Sequence, residues 1–345
     1  MKPLFWQYFL AAEMPPDKAQ AFFEALAPSL DPALALRQWH GLSASERKRI
    51  ELCDLKRFET AMSRGVAVLE ADDMPSTLGL SSCPPQALFA WGEGSAWHRP
   101  MVAVVGTRQA SAYGKAAAYK FAESMAAAGV CIVSGGALGI DAAAHEGALA
   151  AGGHTVAVLG HGIDKVYPAS HGPLFARIRQ SGMLVSPFAV GAPSLGQRFL
   201  QRNSLIASMA HATLVVEAPS KSGALTTAAA AADLGRPVFV VPSGIHHESF
   251  RGSHRLIRDG ATLVDHPFQI LDALGLELPS EGETTQLEVE GTAGQVLELL
   301  SGGMMTIDQL AGQTGVELDQ LLVEITLLEV EGRVVRDGPG YSLKP

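Results

Sequence analysis

The amino-acid sequence predicts an α/β protein built on a doubly wound parallel sheet, and three observations lead to that prediction. Short, almost uninterrupted apolar runs recur through the middle of the chain, helix-compatible segments separate them, and glycine-rich turns follow several of them. Strands that are buried on both faces have this continuous apolar character. Strands that alternate with helices indicate a parallel sheet. With 345 residues, the chain is long enough for about two or three domains.

Residues 1–65 are predicted to form a small helical domain. Helix-compatible segments follow one another at 5–10, 17–26, 32–39 and 43–63. A helical unit of this size is either a DNA-binding hairpin or a docking module. We favour docking, because the glycine-containing turn with which a helix-hairpin-helix would approach phosphate is missing.

Residues 66–274 are predicted to hold a connector followed by the sheet domain. The connector is rich in Pro, Gly and Ser, which mark turns, and its residues 88–92 are expected to form an edge strand. The strand candidates of the sheet domain are 101–105, 130–133, 154–159, 183–186, 212–217, 237–241 and 261–264.

The last part of the chain predicts a linker and a third domain. Residues 275–290 contain five glutamates and are interpreted as an acidic linker. Residues 291–345 show three helix-compatible segments and then a hairpin, an order that predicts a winged-helix-like domain.

The charge is distributed unevenly along the chain, whose formal net charge is −9. Residues 101–265 hold 13 Lys and Arg against 9 Asp and Glu, a net charge of +4, whereas residues 266–345 hold 3 against 14, a net charge of −11. An anionic ligand therefore belongs to the middle segment. A winged helix with so many acids lacks the cations that counterion release from DNA requires, so we expect this domain to bind protein or to regulate.

Several classes of protein are excluded by composition. No apolar run approaches the roughly 20 residues of a membrane helix, and the apolar start has no signal-peptide cleavage site. The three cysteines, Cys53, Cys83 and Cys131, have no spacing typical of a disulfide framework or a metal site. We therefore predict a cytoplasmic protein without a membrane partner, a metal or a cofactor.

The turn Gly106-Thr107-Arg108 follows the first strand of the sheet domain and precedes a helix. Backbone N–H groups, the helix dipole and a guanidinium converge there, which suits a phosphate. The alternative is a turn that needs glycine, with Arg108 in solvent.

A second glycine-rich loop, Ser134 to Asp141, follows the next strand and contains Gly135, Gly136 and Gly139. Its small residues would let a phosphate reach the backbone, although the glycines could also serve helix packing. Two such loops at the ends of separate strands indicate a polyanion or a nucleotide with several phosphates.

The segment 197–203 places Arg198, Phe199, Arg202 and Asn203 close together. Arginines on phosphates and an aromatic ring against bases are typical of sequence-tolerant single-strand binders. The alternative, slightly favoured by the pattern alone, is that Phe199 belongs to the core and Arg202 to a structural ion pair.

A third turn of this kind, Lys221 to Thr227, opens the helix after the fifth strand. Its amides, its hydroxyls and Lys221 could bind an anion, or Ser222 could be an ordinary helix cap. For catalysis the pattern offers little. Glu217, Asp141, His145 and His161 could be assembled into an acid/base site, but nothing fixes their mutual geometry, and we assign no catalytic residue.

Five ordered motifs resemble the DNA-processing protein A (DprA) family of bacterial transformation and recombination mediators. The motifs are Val104–Arg108, Ser134–Asp141, Phe199 with Arg202-Asn203 and Ile206-Ala207, Val215–Ala218 with Ser222–Thr227, and Gly235–Pro242. The likeness covers nearly the whole chain, including the helical start and the final module.

The resemblance implies an extended Rossmann-like fold between a SAM-like helical domain and a winged-helix-like domain. It further implies a non-enzymatic protein that binds single-stranded DNA without sequence preference, protects it and loads RecA in natural transformation and homologous recombination. Family dimers pair through the last part of the Rossmann domain, here about residues 235–263.

By position, the resemblance also implies roles for individual residues. Arg108 would contact phosphate, and Ser134–Gly136 would line the DNA pocket. Phe199 would contact bases beside Arg198, while Arg202 and Asn203 would shape the pocket floor. Ser204 departs from the family pattern, because an arginine usually follows Arg202-Asn203.

Two further functions are compatible with parts of the sequence. The first is a Rossmann-like nucleoside-monophosphate phosphoribohydrolase that uses Glu217, which is disfavoured because the Pro-Gly-Gly-x-Gly-Thr-x-x-Glu signature is absent. The second is a winged-helix regulator that reads duplex DNA, which the acidic tail makes the weaker hypothesis.

Overall fold

The structure is a computed structural model, and it describes residues 3–26, 30–81, 84–276, 292–301, 303–330, 333–337 and 340–343. The chain forms two compact units, Met1–Pro279 and Ser280–Pro345. Cys83 and most of the predicted acidic linker lie outside the described residues. No described helix has the length and apolar character needed to cross a membrane.

The larger unit is built on a nine-stranded sheet in the order β1-β2-β6-β5-β4-β3-β7-β8-β9. The strands are β1 (Ala67–Glu70), β2 (Ala87–Gly92), β3 (Met101–Val105), β4 (Cys131–Ser134), β5 (Thr155–Val158), β6 (Met183–Ser186), β7 (Ala212–Val215), β8 (Val238–Val240) and β9 (Thr262–Leu263). The strands β6-β5-β4-β3-β7-β8-β9 are parallel. Only β2 runs against them, because it pairs antiparallel with both of its neighbours, β1 and β6. The predicted parallel α/β fold class is thereby confirmed.

Helices cover both faces of this sheet because the strands are apolar on both faces. The helices of the larger unit are α1 (Pro3–Ala12), α2 (Pro16–Ala25), α3 (Pro32–Gln38), α4 (Ala44–Glu51), α5 (Leu55–Ser63), α6 (Ala112–Ala127), α7 (Ile140–Ala150), α8 (Gly172–Ser181), α9 (Gly196–Met209), α10 (Ala224–Asp233), α11 (Arg251–Arg258) and α12 (Phe268–Ala273). In β3, Val102 and Val104 pack with α6 and α7 on one face. Met101, Ala103 and Val105 pack with α9 and α10 on the other, as period-two alternation requires.

The prediction that residues 88–92 form the edge strand is wrong. They belong to β2, which lies between β1 and β6. The edge strand is β1, whose Val68 pairs with Phe89 of β2. The connector thus adds two antiparallel strands to the sheet, because its apolar run covers the β2 edge that would otherwise expose unpaired backbone groups.

The predicted helix 43–63 is two helices, α4 and α5. Ser43 caps α4 with a capping box that includes Glu46. Asp54 caps α5 by accepting a hydrogen bond from Arg57 N. An aspartate directly before the first residue of an apolar period is a helix start signal, and Asp54 divides the segment here.

The smaller unit has the order of a winged helix. Its elements are α13 (Thr292–Ser301), β10 (Met305–Thr306), α14 (Ile307–Thr314), α15 (Leu318–Val330), β11 (Val334–Asp337) and β12 (Gly340–Leu343). The predicted hairpin of β11 and β12 is present, and β10 pairs with β12 as a further strand.

A buried histidine, His145, holds α7 against the sheet. The Thr155 hydroxyl donates a hydrogen bond to Ile132 O at 2.7 Å and therefore accepts from His145 Nδ1, also at 2.7 Å. This arrangement fixes the neutral tautomer and leaves Nε2 without a partner among the described atoms. Burial, with smaller contributions from His171 and Arg202, lowers the pKa of His145 from 6.5 to about 3.

We predict that His145 makes the larger unit sensitive to acid. Because the folded-state pKa is lowered, neutral His145 contributes stability above pH 6.5 that is lost as the pH falls toward 3. From this group alone, the free energy of unfolding should fall by up to about 1.4 kcal/mol per pH unit in that window. Urea unfolding of His145→Gln should show a shallower pH dependence than that of the wild type. Equal slopes would contradict the assignment.

Candidate nucleic-acid interface

The candidate site lies at the carboxyl edge of the sheet, between β3 and β7. The strand β3 pairs with both β4 and β7, and the chain leaves β3 for α6 on one face and β7 for α10 on the other. Loops that diverge from neighbouring parallel strands open a crevice in which doubly wound proteins bind their ligands. A cleft of about 640 Å³ occupies this position.

The turn Gly106-Thr107-Arg108 forms one wall of the cleft. Thr107 N donates to Glu217 O at 2.7 Å, and Ile140 N donates to Thr107 O at 3.2 Å. A Cβ atom on Gly139, whose φ is +81°, would lie 2.4 Å from Thr107 O. The two glycine-rich loops therefore pack directly on each other, which fixes the backbone from which the exposed Arg108 side chain projects.

Phe199 stands in the middle of the cleft and is half-buried. Its ring rests on Gly160, where a Cβ atom would come within 2.6 Å of it. Arg108 Cζ lies 5.0 Å from the ring centroid, and the exposed Tyr167 ring lies 5.8 Å away. Phe199 is therefore not a closed core residue, and part of its ring faces the cleft.

Arg202 forms the floor and is only 3% exposed. Its Nη1 donates to Val158 O at 2.7 Å, and its guanidinium covers Gly135. Burial lowers the pKa of Arg202 to about 10, while the nearby Asp141 opposes this shift. Burial likewise raises the pKa of Asp141, which Arg202 counteracts. A cation held this deep stabilises the floor and is not free to contact a ligand.

Asn203 and Lys221 form the wall on the α10 side. Asn203 Nδ2 donates to Gly223 O at 3.1 Å and to Thr226 Oγ1 at 3.0 Å. These bonds tie α9 to the start of α10, where the exposed Lys221 lines the cleft. Ser204, the departure from the family pattern, is exposed next to this wall.

Besides Gly135, the structure leaves three of the sequence-predicted residues away from the cleft surface. Ser134 is fully buried, and its hydroxyl donates to Val104 O at 2.7 Å. Gly136 adopts φ +64° against Phe175. Arg198 points to the N-terminal helices, where its Nε and Nη2 donate to Glu13 Oε1 at 3.0 and 2.5 Å. These residues, like Gly135 under Arg202, support the cleft from behind.

Tyr167 is a cleft residue that the sequence motifs did not indicate. It lies on the loop between β5 and α8, and 47% of its surface is exposed. The aromatic residue in the loop run Val166-Tyr167-Pro168 was the available signal, because binding residues are disproportionately found on loops.

The charges that line the cleft are mostly positive. Arg108, Arg202 and Lys221 face one carboxyl group, Asp141, among the described lining residues. Neither Arg108 nor Lys221 has an acidic partner within 4.0 Å among those residues for which side chains are described. Two unpaired cations beside an aromatic ring can bind phosphate and stack a base.

Glu217 lies behind the cleft wall and is 1% exposed. Its Oε2 accepts hydrogen bonds from Ser111 N at 2.9 Å and from Ser111 Oγ at 2.8 Å. A Cβ atom on Gly114 would come within 2.1 Å of that oxygen. The carboxylate is thus engaged at the N-terminus of α6, where a negative charge is stabilising, and does not face the ligand space.

The fold and the site together define a doubly wound α/β protein with a cationic, aromatic-lined cleft at the switch point of its sheet. The chain belongs to the family of DNA recombination-mediator protein A, whose sequence profile matches residues 65–275. The profile of the DprA winged helix domain matches residues 280–340. These matches confirm the family resemblance and the winged-helix prediction.

Individual relatives agree with this assignment. A DNA-processing relative from Mycobacterium tuberculosis is 42% identical over 256 residues, and the match spans 70% of this chain but 66% of that protein, just under two thirds. The X-ray structure of DprA from Streptococcus pneumoniae has a TM-score of 0.66 at 28% identity and covers 80% of this chain and 99% of its own. The structure of DNA processing protein A from Helicobacter pylori, reported for its single-stranded DNA binding mode, has a TM-score of 0.56 at 28% identity and covers 61% and 95%.

We predict that Gly135→Ala displaces Arg202 from the cleft floor. The new Cβ atom would lie 1.7 Å from Arg202 Nη1, so the bond to Val158 O must break. Overpacking of this kind should lower the free energy of unfolding by about 1–3 kcal/mol. Urea unfolding followed by tryptophan fluorescence reports on the larger unit alone, because all four tryptophans lie in the first 100 residues.

The matched control is Gly223→Ala in the neighbouring loop. There φ is −60°, and the new Cβ atom would meet Asn203 Nδ2 at an ordinary 3.5 Å. We expect a change within about 0.5 kcal/mol. Equal effects of the two substitutions would contradict the close packing of Arg202 on Gly135.

Proposed function

We propose that this chain binds single-stranded DNA without sequence preference in the cleft between β3 and β7. The observation that carries the proposal is the half-buried Phe199, with Arg108 beside its ring and the unpaired Lys221 across the cleft. Phosphate contact by cations gives affinity, and every base offers a π-face to an aromatic ring. Such a site holds a strand and does not read its sequence.

The cleft offers little for base-specific recognition. The Nδ2 group of Asn203 is engaged by Gly223 and Thr226, and Arg202 is bound to Val158 O. These are the side chains most suited to bidentate contacts with base edges. The reported single-stranded DNA binding mode of the Helicobacter pylori relative supports the same ligand class for this chain.

A recombination mediator that binds single-stranded DNA also delivers that DNA to a recombinase. We propose that this chain protects incoming single strands and loads RecA on them, as the family resemblance implies. The engagement of Glu217 by Ser111 supports a binding function over ribosyl hydrolysis, because that carboxylate is not available as a catalytic base or nucleophile.

We further propose that the protein acts as a homodimer through the Rossmann domain. A groove of about 500 Å³ lies between α10 and α11 and includes Leu225, Ala228, Val238 and Leu256. It falls largely within residues 235–263, the region that the resemblance implies for dimerisation. Pairing there would leave the cleft at the carboxyl edge open to DNA.

We predict that Arg108→Ala lowers both affinity and salt dependence. Each phosphate contact to a single strand contributes a slope of about 0.7 to the dependence of log affinity on log salt. Losing one contact should therefore reduce the slope by about 0.7. If the variant and the wild type bind equally at 1 M salt, the variant should then bind about eightfold more weakly than the wild type at 50 mM salt. Fluorescence anisotropy with an oligothymidylate over a salt series measures both. Lys120→Ala, an exposed lysine on α6 outside the cleft, is the control, and an unchanged slope in folded Arg108→Ala would falsify the phosphate contact.

We predict that Phe199→Ala weakens binding without changing the salt slope. Loss of one stacked base should reduce the binding free energy by about 1–3 kcal/mol, while the number of phosphate contacts stays the same. Phe199→Tyr keeps the ring and should bind nearly as the wild type. If both variants bind like the wild type in the same titration, Phe199 serves only as support for Arg108.

A further inference from the structure

A second pocket, of about 420 Å³, lies along helix α5. This helix packs on β2 through the contact of Phe58 with Phe89. The pocket is bounded by α5, by the end of β2 at Trp91 and by Asp164 on the loop between β5 and α8. None of its residues belongs to the motifs that define the cleft. Its lining is nonetheless of the same chemical kind, with cations placed around an aromatic ring.

The pocket has three cations, Lys56 and Arg57 from α5 and Arg64 from the C-cap of that helix. Arg57 pairs with Asp164, whose other oxygen accepts a hydrogen bond from Gly191 N at 2.8 Å. Lys56 and Arg64 are exposed and have no acidic partner within 4.0 Å among the described side chains. These two cations are therefore available to an anion.

Asp54 is the other acid of the pocket, and it is committed to helix capping. Its Oδ1 accepts a hydrogen bond from Arg57 N at 2.9 Å. The pocket therefore holds three cations and two carboxylates, one of which, Asp164, is paired with Arg57. The balance of charge in the pocket is positive. A polyanion would meet Lys56 and Arg64 first.

Trp91 supplies the aromatic wall. Its indole is half-buried and is held in place because Nε1 donates to Arg64 O at 3.1 Å. Arg179 Cζ lies 3.9 Å from the ring centroid, so the indole carries a guanidinium on one side. The cleft shows the same pairing, with Arg108 over Phe199 at 5.0 Å.

One loop connects the two sites. Asp164 lines the α5 pocket and Tyr167 lines the cleft. Asp164 and Tyr167 are three positions apart, so their backbones are at most about 11 Å apart. A stacked single strand of DNA covers that distance in about three nucleotides. Lys165, a further cation, lies between these two residues.

A strand that leaves the cleft past Tyr167 reaches Lys56 first, since the neighbouring Arg57 pairs with Asp164. Arg64 and Trp91 lie at the far end of α5, where Trp91 pairs with Leu184 at the start of β6. Reaching them takes roughly 12 Å more along the helix, or about four further nucleotides.

We propose that the α5 pocket is a second subsite for single-stranded DNA, continuous with the cleft and occupied by the same strand. Lys56 and Arg64 bind its phosphates, and the indole of Trp91 contacts a base. This inference rests on the proposed function of the cleft. It gives the N-terminal helices a direct part in DNA binding, in contrast to the docking role that the sequence favoured.

The test compares the full chain on a short and a long oligothymidylate, of about 5 and about 15 nucleotides, lengths that bracket the usual single-strand sites. The variant is Lys56→Ala/Arg64→Ala. It should bind the short strand like the wild type, because that strand fits in the cleft. On the long strand its salt slope should fall by about 1.4, the value for two phosphate contacts, and its affinity should drop about tenfold or more at 50 mM salt.

The matched control is Lys48→Ala/Lys120→Ala, which removes the same charge from exposed positions outside both sites. It should leave both affinities within about twofold. A second readout is tryptophan emission. The long strand should quench it in the wild type, and Trp91→Phe should abolish that quenching while the short strand still binds.

The outcomes separate the two proposals. If Lys56→Ala/Arg64→Ala binds the long strand like the wild type, or loses affinity equally for both strands, the subsite is overturned while the cleft stands. If the wild type binds neither strand, both proposals are overturned. Quenching that persists in Trp91→Phe would remove the base contact at Trp91.

Discussion

The site depends on the packing of the buried Arg202 guanidinium against Gly135 and on its hydrogen bond to Val158 O. An arginine that is 3% exposed loses most of its hydration, which is costly unless hydrogen bonds and nearby charge replace the water. Here Val158 O accepts a hydrogen bond from Nη1 and Asp141 supplies the opposite charge, while Nε has no hydrogen-bond partner among the described atoms. The arrangement requires a residue without a side chain at position 135, since any Cβ atom there would collide with the guanidinium. The floor thus holds Phe199 from below and leaves Arg108 and Lys221 free at the rim.

The position of Arg202 also explains why the sequence predicted the cleft but not which of the predicted residues line it. The glycines of the second loop suggested a backbone that a phosphate could approach, and the structure shows that the close approach at Gly135 is made by Arg202 from within the protein. Arg198 was likewise grouped with the DNA-binding residues, but it binds Glu13. That partner lies 185 positions away in the chain, and no local pattern carries such a contact. Arg108 and Lys221 were easier to place, because a cation after a strand is projected at the sheet edge whatever its neighbours are.

The helices before the sheet are part of the cleft's support. Gln7 is fully buried, donates to Val190 O at 3.1 Å and accepts from Val190 N at 2.9 Å. Together with the ion pair of Glu13 and Arg198, it fixes the segment that leads into α9, the helix of Phe199 and Arg202. The sequence indicated helices in this region because capping and apolar periods are local signals. It indicated β2 as an edge strand but not that β1 pairs outside it, since strand pairing is set by distant partners.

The winged helix contrasts with the cleft in charge, and the contrast bears on where DNA can be held. In helix-turn-helix proteins the second helix of the motif enters the major groove, and its flanks contact phosphates. Here neither α14 nor α15 contains a lysine or an arginine, and the exposed positions of α15 include Leu318, Leu322 and Val323. An apolar surface without cations releases no counterions and gains nothing from a phosphate backbone. The proposed contact with the DNA backbone is therefore assigned to the larger unit, where unpaired cations lie beside aromatic rings at the cleft and again along α5.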